Sequence, residues 1–186
     1  MAERSPFDAT LFGKQLAMAA FQNPLLQVFM ADEVKNLESA GVPQLIYHHE
    51  RVVLVGSAAA FAIRAYLGSG NLSDGIWNGF AMLWRDYGAS APDRLGLFQL
   101  FERRLTGYIL AATKDVIRER SAVQTAVISE LLKTYLEAIQ ENAPSNRPVG
   151  VPLFSICQEN GLTMWKQQVA STGSAMKLAG LPVQEV

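Results

Sequence analysis

The stretch Val52–Leu67, which reads VVLVGSAAAFAIRAYL, decides how the rest of the chain must fold. Its apolar residues fall on every side of a helix, and a helix that is apolar all round must be covered all round. A membrane span needs roughly 20 apolar residues and few charges, whereas this stretch has 16 residues and contains Arg64. We therefore predict a buried helix at the centre of a helical domain.

Small side chains in this stretch would allow neighbouring helices to approach closely. Gly56 and Ala60 are four residues apart, so they share one helix face. Arg64 is the exception, because an unpaired buried guanidinium is too costly. Its side chain must reach the surface along its apolar stem or meet a carboxylate, for which Asp86 and Glu102 are candidates. The alternative is that Arg64 binds the carboxylate or phosphate of a ligand.

The composition favours a single domain that has a partner. A chain of 186 residues fits one domain, and we assign residues 1–186 to it. Charged residues make up 18% of the chain, against about 25% in an average soluble domain. An isolated protein of this size has ample surface for polar groups. The shortage of charge therefore suggests that another copy or another protein covers part of the surface.

The net charge and the cysteine content indicate which classes of partner and which compartment suit this chain. The formal net charge is −1, so the chain lacks the basic field that holds nucleic acid. Cys157 is the one cysteine and cannot form a disulfide within the chain, which fits a reducing compartment. No apolar run near the N-terminus is long enough for a secretory leader. We expect a cytoplasmic protein without a transmembrane span or a nucleic-acid partner.

Apolar periodicity outside the central stretch predicts further helices. No run shows the period-two alternation of a strand. We expect an all-α fold of about seven helices in one bundle-like domain around residues 52–67. Prolines predict a loop or linker at 143–152, before a C-terminal helical segment. The other predicted helices are 6–22, 24–39, 74–87, 93–142 as one helix or two, 153–160 and 163–179.

Two of these helices carry patterns that predict packing. Gly75 and Gly79 place small residues on one face of the helix 74–87, which indicates close helix contact. In 98–116, apolar residues keep an approximate heptad spacing opposite a charged face, as in helices that pair. We predict an interface with another chain at Phe98, Phe101, Leu105 and Tyr108.

Few residues are candidates for ligand binding. His48 and His49 are the only histidines, and adjacent residues lack the helical spacing of a metal-binding pair. One histidine suffices as an axial haem ligand, and Trp77 and Trp84 would line any void in the core. Asp86 is the acid embedded in an aromatic-rich segment. The candidate ligand-binding residues are Arg64, Trp77, Trp84, Asp86, His48 and His49.

These observations favour interaction over catalysis. The sequence contains no catalytic set with a recognisable spacing, so we predict no catalytic residue, no metal site and no required cofactor. The first hypothesis is a non-catalytic interaction or assembly protein that self-associates or docks on another protein. The second is a helical domain that binds a small apolar ligand or a tetrapyrrole such as haem. The third is an enzyme whose site the sequence does not identify.

Overall fold

The computed structural model describes residues 7–28, 31–113, 133, 135–142 and 151–184. Within these ranges the chain is helical and has no strand, which confirms the predicted all-α, bundle-like fold. Residues 135–141 are helical as well, and short 3-10 turns occupy Pro24–Leu26 and Pro92–Arg94. The helices with defined ends are α1 Ala9–Phe21, α2 Ala31–Ala40, α3 Gln44–Leu67, α4 Asn71–Ala89, α5 Leu97–Thr113 and α6 Val151–Leu178.

The central helix of the bundle is α3, and it is longer than the predicted stretch 52–67. It begins at Gln44 because Pro43 precedes it in an extended conformation, and proline lacks the amide that a helix interior requires. It ends at Leu67, and the next residue, Gly68, has a φ of 67°, which glycine readily adopts because it has no Cβ. All residues from 50 to 60 are buried. The helices α1, α4, α5 and α6 pack around α3.

Glycines bring α1 and α4 into close contact. A Cβ atom at Gly13 would lie 1.9 Å from the carbonyl oxygen of Ile76, and one at Gly79 would lie 1.9 Å from the carbonyl oxygen of Thr10. A side chain at either position would overlap the backbone of the other helix, and close-packed interiors leave no room for it. This contact confirms that the small-residue face at Gly75 and Gly79 is a packing face.

A layer of aromatic rings lies against the middle of α3. A Cβ atom at Gly56 would lie 1.9 Å from Cζ2 of Trp84, so only glycine leaves room for the indole here. Trp84 is fully buried, and its ring stacks on that of Phe101 with centroids 4.1 Å apart. Phe21 contacts the same indole, with centroids 4.7 Å apart. These rings join α1, α4 and α5 to the central helix.

Two helix boundaries in the N-terminal half differ from the prediction. The predicted helix 24–39 is a 3-10 turn at Pro24–Leu26 followed by α2. The reason is local, because the side chain of Asn23 accepts a hydrogen bond from the Leu25 amide at 2.9 Å, and such bonds favour a turn. In addition, α4 begins at Asn71, one turn before the predicted start at residue 74.

The C-terminal helix α6 is continuous, where the sequence predicted a loop and two helices. It begins at Val151 and runs through Gly161 without a break. Pro152 is tolerated because the first helical turn requires no amide hydrogen bond, and one glycine costs only about 1 kcal/mol in a helix interior. The predicted loop 143–152 was therefore wrong at its last two positions. The predictions that lie outside the described residues are the loop at 143–150 and the continuity of 93–142 across 114–132.

Candidate functional site

The predicted ligand-binding residues do not converge on one site. Trp84 is fully buried, and Trp77 is half-buried beside Phe80 with ring centroids 5.9 Å apart. Asp86 is exposed on α4. Arg64 lies near the C-terminal end of α3, whereas the two histidines lie near its N-terminal end. A ligand-binding role for these residues stays a prediction.

Arg64 pairs with a carboxylate other than the predicted ones. Its Nη1 atom lies 2.7 Å from Asp74 Oδ1 and donates to Ser73 Oγ, also at 2.7 Å. The side chains of Arg64 and Asp74 are 40% and 55% exposed. The expected partners Asp86 and Glu102 were wrong, because the short turn after α3 brings the first turn of α4 beside Arg64. The guanidinium thus reaches the surface and meets a carboxylate there.

His48 and His49 form a half-buried pair with ring centroids 6.4 Å apart. Burial lowers the pKa of His48, and the nearby charges of His49, Arg51 and Arg94 lower it further. Burial also lowers the pKa of His49, while the backbone and the carboxylate of Asp93 oppose that shift. Both rings therefore favour the neutral form near neutral pH. Within the described residues, no group of His, Cys, Asp and Glu is arranged to hold a metal ion.

The core aromatic rings contact one another. Phe80 lies 6.3 Å from both Trp84 and Phe101, measured between ring centroids. Tyr108 lies 6.2 Å from Trp165 by the same measure. Rings at these separations pack as they do in an ordinary protein core. Binding of haem or another apolar ligand between them stays a prediction.

The predicted interface residues belong to the core of their own chain. Phe101, Leu105 and Tyr108 are 1%, 9% and 0% exposed, because α5 packs on α3 and α4. Phe98 is half-buried, and the guanidinium carbon of Arg85 lies 5.1 Å from its ring centroid. The heptad-like spacing in α5 therefore reflects packing within the chain. The three buried side chains offer no apolar surface to a partner.

Arg104 holds a buried carboxylate that sequence reasoning missed. Its Nη2 atom donates to Glu50 Oε1 at 3.1 Å and to Glu141 Oε2 at 2.8 Å. The Glu50 side chain is 1% exposed, and burial raises its pKa although Arg104 opposes the shift. The hydrogen bond from Arg104 lowers the pKa of the more exposed Glu141. This cluster fastens residues 135–141 to α3 and α5.

A second buried cluster joins α2, α3 and α6. Glu33 is fully buried, and it accepts hydrogen bonds from Tyr47 Oη and, at 3.2 Å, from Asn160 Nδ2. Arg51 Nη1 lies 3.8 Å from the same carboxylate. Arg51 also donates to the carbonyl oxygen of Val28 at 3.0 Å. Buried charges need such partners, and the contacts of the two clusters tie separate helices together.

The exposed side of α1 carries little charge. We define the outer face of α1 by five exposed side chains: Leu11, Gln15, Met18, Ala19 and Gln22. Leu11 and Met18 are 53% and 42% exposed, and their seven-residue spacing puts them on one side of the helix. Lys14, three residues after Leu11 and four before Met18, is half-buried on the same side, and Asp8 is exposed at the N-cap. The sequence contains a partial signal, since Lys14 is the one charged residue from 9 to 22. It does not show which side of α1 packs on α4.

The other helices with exposed faces carry charges on those faces. The exposed charged residues are Asp32, Lys35 and Glu38 on α2, Asp74, Arg85 and Asp86 on α4, Glu102 and Arg103 on α5, and Glu159, Lys166 and Lys177 on α6. Mixed charge of this kind keeps a surface solvated and apart from other proteins. Among the described helices, the outer face of α1 is therefore the candidate docking surface.

Comparison with known proteins identifies no relative. No protein-family model, curated protein or solved structure matches the chain. Among the described helices, none is both long enough and apolar enough to cross a membrane. The outer face of α1 and the two buried clusters are therefore the features from which a function can be inferred.

Proposed function

We propose that the chain is a non-catalytic interaction protein that docks another protein chain through the outer face of α1. The observation that carries the proposal is the exposed stripe of α1 that contains Leu11 and Met18, at 53% and 42% exposure, and carries little charge. The centres of protein interfaces are depleted in charged side chains, and methionine is enriched there. Exposed apolar residues that occur singly are ordinary. Here they repeat along one side of a helix.

The way α1 is held supports the same function. Gly13 and Gly79 bring the backbones of α1 and α4 into contact. The ring of Phe21 stacks on Tyr87 with centroids 3.9 Å apart. Asp8 caps the first turn, because its side chain accepts a hydrogen bond from the Leu11 amide at 2.9 Å. A surface that is ordered before binding loses less entropy on docking, so α1 is suited to present side chains to a partner.

Composition supports the class of partner and the compartment that we propose. A net charge of −1 and a charged content of 18% favour a protein partner over a nucleic acid. The one cysteine, Cys157, cannot form a disulfide within the chain and suits a reducing compartment. We therefore propose that the association takes place in the cytoplasm.

A photoreactive amino acid on the outer face of α1 tests the proposal in the cells that make the protein. We expect benzoylphenylalanine in place of Ala19 to form a covalent adduct with a protein, which mass spectrometry then identifies. The matched control carries the same amino acid in place of Lys35, which is exposed on the charged face of α2. Equal adduct yields at the two positions, or no adduct at Ala19, would contradict the proposal.

Charge introduced on the outer face should remove the adduct. With the photoreactive group kept at position 19, we expect Leu11→Glu combined with Met18→Glu to abolish cross-linking, because a desolvated unpaired charge is costly at an interface. The control is Leu45→Glu, which changes a leucine of 50% exposure at the start of α3 and should leave the yield unchanged. Circular dichroism should show that both variants fold, since exposed substitutions change stability little. An equal loss of adduct in the control would count against a role for α1.

A further inference from the structure

We propose that this chain binds a water molecule inside the bundle, between α3 and α5, at Glu50 Oε2, Arg104 Nε and Tyr108 Oη. The side chains of Glu50 and Arg104 are 1% and 10% exposed, and Tyr108 is 0% exposed. The site is therefore enclosed by protein. It is separate from the outer face of α1, and the inference holds whether or not that face docks a partner.

Unused hydrogen-bonding capacity is the first argument for this site. Among the described residues, Glu50 Oε2, Arg104 Nε and Tyr108 Oη are buried and have no hydrogen-bond partner. Buried polar atoms in folded proteins are nearly always hydrogen-bonded, either to the protein or to an ordered water. Two of these atoms belong to ionised groups, for which a missing partner is especially costly. A ligand that bonds to all three atoms would remove that cost.

The geometry of the ion pair is the second argument. An arginine and a carboxylate often form two parallel hydrogen bonds. Here a single nitrogen, Arg104 Nη2, donates to Glu50 Oε1 at 3.1 Å and to Glu141 Oε2 at 2.8 Å, while Arg104 Nε and Glu50 Oε2 do not bond to each other. A donor and an acceptor of the same ion pair therefore lie side by side, and a molecule that accepts from one and donates to the other would bridge them.

Tyr108 supplies the third partner. It follows Arg104 by four residues in α5, so the two side chains lie on the same side of the helix. Burial raises the pKa of Tyr108, and the nearby charge of Glu50 raises it further, while the charge of Arg104 opposes the shift. The hydroxyl therefore lies close to the same ion pair, and a tyrosine hydroxyl can either donate or accept a hydrogen bond.

The chemistry of the three atoms favours water over an ion. A cation would be repelled by Arg104, and an anion would be repelled by Glu50. A water molecule can donate to Glu50 Oε2, accept from Arg104 Nε and bond to Tyr108 Oη in either direction. Buried waters typically make about three hydrogen bonds to polar groups that lack other partners. The ligand class is therefore a small neutral molecule that both donates and accepts, and water is the smallest of these.

A high-resolution crystal structure of the full-length chain tests the site directly. We expect an ordered water within hydrogen-bond distance, about 2.7–3.2 Å, of Glu50 Oε2, Arg104 Nε and Tyr108 Oη. A direct hydrogen bond between Arg104 Nε and Glu50 Oε2 would overturn the proposal, because the ion pair would then satisfy itself. The absence of a water in contact with Tyr108 Oη would overturn it as well.

Oxygen-17 relaxation dispersion tests the site in solution, because its amplitude reports water molecules that stay inside the protein. We expect Tyr108→Phe to lower this amplitude by the contribution of the bound water, since fewer hydrogen bonds then hold it. The matched control is Tyr87→Phe, at a half-buried tyrosine of α4 that stacks on Phe21, and it should leave the amplitude unchanged. Circular dichroism should show that both variants fold, because the aromatic ring is kept. An unchanged amplitude in Tyr108→Phe, or an equal loss in the control, would overturn the proposal.

Discussion

Two regions of this bundle are held together in different ways: the contact between α1 and α4, and the contacts of α2 and α5 with α3. In the first region, Gly13 and Gly79 let the backbones approach until no side chain fits between them. In the second region, buried carboxylates of Glu33 and Glu50 pair with arginines. The first kind of contact depends on the absence of side-chain volume, whereas the second depends on the pairing of charges.

This difference determines how each region should respond to change. A close backbone contact has no atoms to titrate, so it should be indifferent to pH but intolerant of added volume. A buried ion pair keeps its geometry when the substituted side chain has a similar length, but loss of one charge leaves the other unpaired inside the protein. Substitutions at the two kinds of contact should therefore change stability in different ways.

Removal of Arg104 should produce the largest loss of stability. Arg104→Met keeps much of the side-chain volume but leaves Glu50, whose side chain is 1% exposed, without its guanidinium. Breaking a buried pair in this way costs about 3–5 kcal/mol. Urea unfolding followed by circular dichroism measures the change in unfolding free energy. The matched control is Arg103→Met, an exposed neighbour whose loss should change stability by less than about 0.5 kcal/mol. Equal effects of the two substitutions would argue against a buried charge at Glu50.

The next largest loss of stability should come from a side chain added at the contact between α1 and α4. In Gly79→Ala, the new Cβ atom would lie 1.9 Å from the carbonyl oxygen of Thr10. We expect a loss of about 3 kcal/mol, at the upper end of the usual cost of overpacking. In an uncrowded helix the same change would instead stabilise by about 0.5–1 kcal/mol, so the sign of the effect reports the contact.

The graded control for this contact is Gly75→Ala. Its Cβ atom would lie 2.9 Å from the Cβ atom of Ala9, which is a smaller overlap than the 1.9 Å approach at Gly79. We expect a smaller loss than for Gly79→Ala, measured in the same urea titration. A stabilised Gly79→Ala protein would show that α1 and α4 do not approach as closely as the structure has them.

A fall in pH should lower the stability of the folded protein through His48, which lies on α3. Its folded-state pKa is held below the ordinary value of 6.5, so the unfolded chain takes up the proton first as the pH falls below that value. Stability therefore decreases until the pH passes the lowered pKa of the folded state. We expect His48→Gln to lose less stability than the unsubstituted protein between about pH 7 and about pH 5.

The control for this titration is His49→Gln. Asp93 opposes the lowering of the His49 pKa, so this substitution should flatten the pH dependence less than His48→Gln does. Comparison with the unsubstituted protein separates the contribution of each histidine to the pH dependence of stability from that of other groups titrating in the same range. Identical pH slopes for His48→Gln and the unsubstituted protein would show that His48 does not contribute.

The sequence identified the features that leave a local signal. Burial on all sides makes Val52–Leu67 apolar on all sides, so the position of the central helix could be read directly. Gly75 and Gly79 likewise indicated a packing face. The partner glycine, Gly13, gave no comparable signal, because its role depends on Ile76, which is distant in sequence and close only in the fold.

The features that the sequence missed depend on which distant segments meet. Glu50 and Arg104 are 54 residues apart, and nothing near either residue specifies the other. The apolar stripe around Phe101 and Leu105 was ambiguous, because packing within a chain and packing between chains bury the same kind of stripe. The outer face of α1 could be recognised only after the opposite side of the helix was seen against α4.

The smallest effect should come from the ion pair between Arg64 and Asp74, and it tests whether burial or distance decides the strength of a pair. These atoms are 2.7 Å apart, closer than the 3.1 Å between Arg104 and Glu50, but the side chains are 40% and 55% exposed. Exposed pairs contribute only about 0–1 kcal/mol, so Arg64→Met should cost far less than Arg104→Met. Since salt screens exposed charges, the Arg64 effect should shrink further in about 1 M salt while the Arg104 effect persists. A larger loss for Arg64→Met would mean that distance, and not burial, ranks the ion pairs of this protein.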